Sequence, residues 1–525
     1  QGVGQAGSAE ELVMHLAGRE RPRHGGLLGG TRARAWGSIR ARVPANLIHG
    51  IVALGLGSFL GLLAAKASPL TLVKLVAGVV LLYAVARAPE VGLLAIVLLT
   101  SGLVPSERQP QIPVGPFDLT SAEVILLFLL GLCAITPRSY RSGMLGHTPL
   151  GWPLTAFLLV VCASAVAAVL IWSAELFFVI SRLRTYMFYG AFYVVATLIT
   201  TPRQLRRLVW GLYLIAGALA LTALVSVASP SFDLSGTLAD PLMTAGRQYE
   251  GVIRVSLPGV SLMYIMLVAS VSEIALGHGA SLLRGLLRAL VLAPGILLHF
   301  QRNLWLTMII AIGGLAALSG WKPRLRLVRA ALFGGLVVAA LLLSLSRELG
   351  AYAMATRERF GWGLSPSVVK ADRSAQLRIL ETGYALETLA EHPVFGVGVA
   401  RPYRPTVPED GYWRELSGRD LRYFMHNVYL WVAIQVGGIG LAPFALFLLL
   451  ALARGLGRWK QIQDPWQRSL VLGLSLALGW QIISNVVMPS MLEAPVLVVY
   501  PIVIGIGELI LYWNPSTLAA PAERT

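Results

Sequence analysis

Long apolar stretches recur along this chain, near 47–65, 70–87, 91–104, 120–136, 152–171, 183–200, 206–228, 255–278, 285–300, 303–320, 328–346, 427–453, 467–488 and 491–512, with the charge gathered in the connections between them. An apolar run of about 18 residues or more reads as a membrane-spanning helix. Lipid cannot satisfy an open backbone, and no run shows the alternation of a barrel strand. The pattern therefore predicts an all-α fold, a polytopic transmembrane helical bundle of about 12–14 spans.

Residues 1–46 are polar and arginine-rich, and the first apolar run follows at full spanning length. That reads as a flexible basic cytoplasmic arm and not as a secretory signal. Residues 47–346 hold the first eleven spans, 347–426 form a large outer loop, and 427–525 hold the last spans and the tail. Within the loop, Asp372 is placed to cap a helix over 373–391, with Leu377, Leu380, Tyr384, Leu386 and Leu389 as its apolar face. "HPVFGVGVARP" ends it, and such a helix suits a membrane surface or a cavity mouth.

The chain has 525 residues, 56% hydrophobic and 13% charged, with a net charge of +17. The basic clusters Arg19–Arg42, Arg138 with Arg141, Arg203 with Arg206 and Arg207, Arg284 with Arg288, Lys322–Arg329 and Arg454–Lys460 fall on one side when the spans alternate. That is the positive-inside pattern of a membrane protein, and it excludes nucleic acid as the partner the charge serves. Cys133 and Cys162 lie in apolar runs and carry no metal-ligand spacing.

A second group of basic residues breaks that pattern. Arg182 and Arg184 stand at the outer start of one span, Arg247 and Arg254 just before another, and Arg302 at the outer junction of two more. Arg373 and Arg378 lie in the long loop, and His426 with Asn427 closes it. An isolated arginine at such a depth snorkels to headgroups. Several at one depth read as an anion site, because guanidinium grips phosphate oxygens bidentately. His426 reads either as a helix cap assisted by Asn427 or as a general base or hydrogen-bonding group beside that site.

Other signals carry less. "GLGSFLG" sits inside a spanning run and reads as close helix packing. No phosphate-binding loop, zinc motif or nucleophile elbow is present. Asp410, Glu415 and Asp420 are outer-loop carboxylates without the spacing of a metal site. Glu508 in the last span reads either as a paired buried carboxyl or as part of an ion path.

Four stretches carry a family resemblance: "YEGVIRVSLPGVSLMYIM", "LHFQRNLWLTMIIAIGGLAAL", "RSAQLRILETGYALETLAEHPVFGVGV" and "HNVYLWVAIQVGGIGL". Their order is similar to that of the O-antigen ligase and O-antigen polymerase superfamily, membrane glycosyltransferases of the GT-C type, over about residues 180–450. The last stretch is the most specific. Gln301 stands where the family carries a small hydroxyl residue, and Arg378 is followed by Ile-Leu in place of an aromatic-containing sequence.

The resemblance implies a bacterial inner-membrane enzyme whose site faces the periplasm. An undecaprenyl-diphosphate-linked glycan is the implied donor. The acceptor hydroxyl belongs to lipid A core in a ligase, to another lipid-linked glycan in a polymerase, or to a protein. The implied roles are catalytic for His426, Arg302 and Arg254, diphosphate-binding for Arg378, Arg247, Arg182 and Arg184, and supporting for Asn427. The reaction would be inverting, with no cofactor and no metal. A lipid-linked oligosaccharide flippase is the non-enzymatic alternative, and it predicts internal repeats and a charged path through the bilayer. The peptidoglycan polymerases of the shape and division family are another, and they would shift attention to the outer-loop carboxylates.

Overall fold

A computed structural model describes residues 69–105, 108–114, 117–137, 143–228, 239–244, 247–255, 257–345, 373–407, 420, 422–493 and 497–514. The basic arm, Asp372, Asp410 and Glu415 lie outside the described residues. The chain divides into two compact units, Gln1–Val80 and Leu81–Thr525. Helix α1 (Pro69–Arg87) runs out of the first unit into the second, and every later element belongs to the second.

After α1 come α2 (Pro89–Thr100), the hairpin β1 (Gln111–Val114) and β2 (Phe117–Thr120), and α3 (Ser121–Ile135). Then come α4 (Gly151–Leu170), α5 (Leu176–Met187), α6 (Ala191–Leu198), α7 (Pro202–Ala228) and a second hairpin, β3 (Ala239–Thr244) with β4 (Arg247–Val255). The rest is α8 (Val260–Leu276), α9 (Ala280–Leu297), α10 (Arg302–Leu318), α11 (Trp321–Leu345), α12 (Arg373–Glu391), α13 (Val428–Arg458), α14 (Pro465–Ser484) and α15 (Val499–Trp513). This is an all-α polytopic bundle. Among the described residues α4, α7, α9 and α13 are long and apolar enough to cross a membrane by themselves.

Helix α8 is the axis of the packing, because its sequence is apolar or small on every side. It is buried at every position except Val271 and Leu276, and it packs against α7, α9, α10, α11 and α14. The approach to α14 is tightest at Gly473, where a Cβ would stand 2.6 Å from Ala269 Cα. Small residues at such a crossing let two backbones come close where lipid offers no hydrophobic drive.

Three apolar runs differ from their sequence-predicted spans. The run at 183–200 starts earlier, at Leu176, and breaks at the tight turn Phe188–Gly190, where buried Tyr189 donates its hydroxyl to the Met491 carbonyl at 3.0 Å. The run at 255–278 becomes a helix only after the Pro258-Gly259 turn, with Gly259 N–H donating to the Ser101 carbonyl at 2.8 Å. The last run turns helical at Val499, not near 491. Before it, Asn485 and Ser490 form a buried polar knot: Asn485 Nδ2 donates to Ser490 Oγ at 3.1 Å, and Tyr500 OH donates to the same oxygen at 2.8 Å. Satisfied buried polar groups of this kind fix one local geometry.

The two hairpins were not expected. In each, two residues separate segments that carry β-branched or aromatic residues, a pattern that suits antiparallel strand pairing. Elsewhere the basic clusters meet buried carboxylates. Glu273 receives Arg288 at 2.7 Å and Arg284 at 3.7 Å, and Arg207 reaches Glu90 at 3.3 Å. Glu508 accepts from Arg454 at 2.7 Å and from the Thr148 hydroxyl at 2.9 Å, which supports the paired reading of that residue over an ion path.

Candidate functional site

The site begins with an interrupted helix. Within α13, Gly437 has φ +67°, so the run bends there and exposes backbone groups on either side of the bend. The segment that follows α12 fills the gap. Gly438 N–H donates to the Pro393 carbonyl at 2.9 Å, Ile439 N–H to the Val394 carbonyl at 3.3 Å, and Val397 N–H to the Ile434 carbonyl at 2.7 Å. Gly396, with φ +65°, has no room for a Cβ against the Ile434 carbonyl. Ser164 of α4 ties both strands of the splice, donating to the Gln435 carbonyl at 3.0 Å and accepting from Val399 N–H at 3.2 Å. The glycines of "HPVFGVGV" and "QVGGIGL" are therefore two halves of one joint. The joint sets where α12 lies against the start of α13.

That placement brings Glu381 to His426. Glu381 Oε2 is hydrogen-bonded to His426 Nδ1 at 2.9 Å and accepts from the His426 main-chain N–H at 3.2 Å. The carboxylate side chain is 2% exposed and the imidazole 22%. The sequence-predicted apolar face of α12 is corrected here: Leu386 is 56% exposed, and the buried stripe runs Leu377, Glu381, Ala385. A carboxylate takes an inward position because His426 offers it two donors. Arg378 lies three residues before Glu381, one turn along the same side of the helix.

Around the imidazole, the Phe424 ring packs edge-on at 5.0 Å and also meets Trp431 at 5.2 Å. The Arg182 guanidinium sits 5.5 Å from the Trp431 ring, so α5 delivers a cation to the aromatic group beside His426. Arg184, two residues on, binds elsewhere. Its Nε and Nη2 reach the Glu123 oxygens at 2.6 and 2.5 Å, and Nη2 also donates to the Asp118 carbonyl at 2.9 Å. Those bonds hold the β1–β2 hairpin and α3 to α5.

Asn427, not His426, caps α13: its Oδ1 accepts from Tyr429 N–H at 3.0 Å and Leu430 N–H at 3.1 Å. Asn427→Ala is expected to lower stability by about 1 kcal/mol through the lost cap, seen as a reduced Tm, while Asn427→Asp retains it.

The segments that carry Arg254 and Arg302 are joined through the backbone. Val255 N–H donates to the Leu298 carbonyl at 3.2 Å, and Leu257 N–H to Nε2 of buried His299 at 3.2 Å, while His299 Nδ1 bonds the Gly295 carbonyl at 2.8 Å. The end of β4, where Arg254 lies, is thus fastened four residues before the first residue of α10, Arg302. Next to it, Asn303 Nδ2 donates to Ser484 Oγ at 3.3 Å, and the neighbouring Asn485 carbonyl accepts Val428 N–H at 2.9 Å. The end of α14 therefore links the Arg302 junction to the His426 turn. Arg247 lies at the far end of β4, about 20 Å along the strand from Arg254 by strand rise, and does not join this group. Arg373 begins α12, more than a turn before Arg378.

Sequence reasoning missed Glu381, His299 and the Asn303–Ser484–Asn485 bridge. For Glu381 a signal existed, a lone carboxylate midway between Leu377 and Ala385 at i+4 spacing. Arg404, 5% exposed in the outer segment, was also passed over.

Among the described residues, a carboxylate-held imidazole stands beside an aromatic pair that meets Arg182, and backbone links tie the segments of Arg254 and Arg302 to the same region. No curated protein matches the chain. Residues 287–445 match the family model described as O-Antigen ligase, a region that contains Arg302, Arg378, Glu381, the glycine joint and His426. Over that region the chain is similar to the O-antigen ligase family.

Proposed function

We propose that the protein transfers a glycan from an undecaprenyl-diphosphate-linked donor to an acceptor hydroxyl, as an O-antigen ligase does, at the periplasmic face of the bacterial inner membrane. The observation that supports this reading is the bridge through Ser484 and Asn485, with Asn303 beside Arg302 bonded at one end and Val428 beside the His426 turn at the other. The acceptor oxygen attacks the anomeric carbon from the side opposite the diphosphate, and that carbon's bond to the diphosphate oxygen breaks with its electron pair. His426 takes the hydroxyl proton. Arg254, Arg302 and Arg378 neutralise the charge gathering on the leaving diphosphate, the role a divalent metal has in other glycosyltransferases. Arg182, held against Trp431, adds a further cation for the diphosphate. One displacement inverts the anomeric centre.

The test is transfer by the detergent-purified protein, given an undecaprenyl-diphosphate glycan and lipid A core. Wild type is expected to form the conjugate and release undecaprenyl diphosphate, with activity persisting in chelator. Arg302→Ala is expected to lower turnover about 10²–10³-fold, the scale for removing one charge-stabilising donor. Undiminished turnover in that variant would refute the role of Arg302. Elongation of the donor glycan with no lipid A core present would identify a polymerase instead, and transport without chemistry would identify a flippase.

A further inference from the structure

We propose that Glu381 is a positioning residue for glycan transfer: it holds His426 as the tautomer protonated on Nδ1, which makes Nε2 the atom that receives the acceptor's proton. The proposal rests on the glycosyltransferase reading and deepens it.

Glu381 occupies the middle of the buried stripe of an amphipathic helix, between Leu377 and Ala385. Acidic side chains are almost never buried unless paired. Both of its described partners belong to His426, and both reach the same oxygen, Oε2. A main-chain N–H can only donate, so Oε2 is an acceptor. With Glu381 ionised, its oxygens can only accept, so Nδ1 is the donor of the second bond and carries its hydrogen.

In the neutral imidazole the lone pair then lies on Nε2. Nε2 has no hydrogen-bond partner among the described residues, and the ring is partly exposed. The ring has little freedom to turn: the Phe424 ring stands edge-on to it at 88°, and the shared carboxylate registers backbone and side chain of His426 to α12 together. The glycine joint fixes α12 in turn.

In the reaction, the acceptor O–H bond breaks as its oxygen bonds the anomeric carbon. The proton passes to Nε2, and the diphosphate leaves with the electron pair of the broken glycosyl bond. Nδ1 keeps its proton. The imidazolium so formed faces the Glu381 carboxylate, and their hydrogen bond strengthens as the second charge develops. Such a group acts on the rate of the chemical step and not on substrate binding.

The test uses the full chain in detergent, carrying ¹⁵N-labelled histidine, with undecaprenyl-diphosphate glycan and lipid A core as substrates. In the wild type, the His426 signals, assigned by their loss in His426→Ala, are expected to show a protonated Nδ1 and an unprotonated Nε2. The opposite tautomer would overturn the proposal whatever the variants do. Glu381→Gln is expected to lower kcat about 10²–10⁴-fold with KM within about threefold of wild type, and Glu381→Asp to recover part of the loss. Full activity in Glu381→Gln beside an inactive His426→Ala would sink the role of Glu381 and leave the transfer reading standing. Full activity in His426→Ala would sink the base assignment and the proposal with it.

Discussion

A His426→Ala protein is expected to fold and to bind its donor, yet to transfer glycan about 10²–10⁴-fold more slowly than wild type, the usual contribution of a positioned base. The fold survives because His426 does not cap α13; Asn427 does. The imidazole is also partly exposed, so its loss opens only a small buried gap. One cost accompanies the change. Glu381 keeps the main-chain N–H of residue 426 and loses the Nδ1 donor, which leaves a buried carboxylate less satisfied by about 1–3 kcal/mol. A lowered Tm with an intact oligomeric profile, together with lost turnover and retained donor binding, is the expected combination. Turnover within tenfold of wild type would remove His426 from the chemistry.

Gly437→Ala is expected to have the largest effect on stability and to yield little folded protein. A side chain at φ +67° is strained by about 1–3 kcal/mol wherever it lies. Here its Cβ would also overlap the Val394 carbonyl, which is backbone and cannot swing aside. Relief requires the α12 segment to withdraw from α13, breaking the bonds of Gly438, Ile439 and Val397. Each buried group so stranded costs about 1–3 kcal/mol, and the sum approaches the whole stability of a domain. Gel filtration in detergent and a thermal melt read the outcome directly. A variant with wild-type elution and Tm would show that the bend is not needed. By contrast, Gly383→Ala on exposed helix surface, where no atom lies within 4 Å of the new Cβ, is expected to be neutral or slightly stabilising.

The helices were legible because lipid makes one demand everywhere, a run of apolar residues closed on its own hydrogen bonds. That demand weakens where protein replaces lipid. Asn485 and Ser490 make a buried turn where two apolar runs stand only two residues apart, and Pro258-Gly259 delays α8, since neither feature alters average hydrophobicity. The amphipathic α12 was legible from its spacing, but its inward face was not, because pattern alone assigns Leu386 inward and Glu381 outward. Partner identity reverses that assignment: the i+4 spacing of Leu377, Glu381 and Ala385 hints at an inward carboxylate, but nothing near it in sequence points to His426.

The site shows the same division. His426 and Arg302 stood out through their position at helix boundaries, and backbone links tie their boundaries together. Arg184 looked equivalent to Arg182 at two residues' distance. A helix turns about 200° over two residues, so the pair faces two ways, one toward Trp431 and the other toward Glu123. Arg247 resembled Arg254 in the same connection until pairing into β4 separated them along the strand.

The glycine joint also constrains the order of assembly. The carbonyls of Pro393 and Val394 are synthesised before the α13 amides that need them. When α13 enters the bilayer, Gly438 and Ile439 arrive with N–H groups that the bent helix leaves without intrahelical acceptors, an expensive state in lipid. Insertion of this helix and docking of the preceding loop are therefore one event. The same event carries Glu381 to His426, so a chain that has finished inserting has already built its imidazole–carboxylate pair.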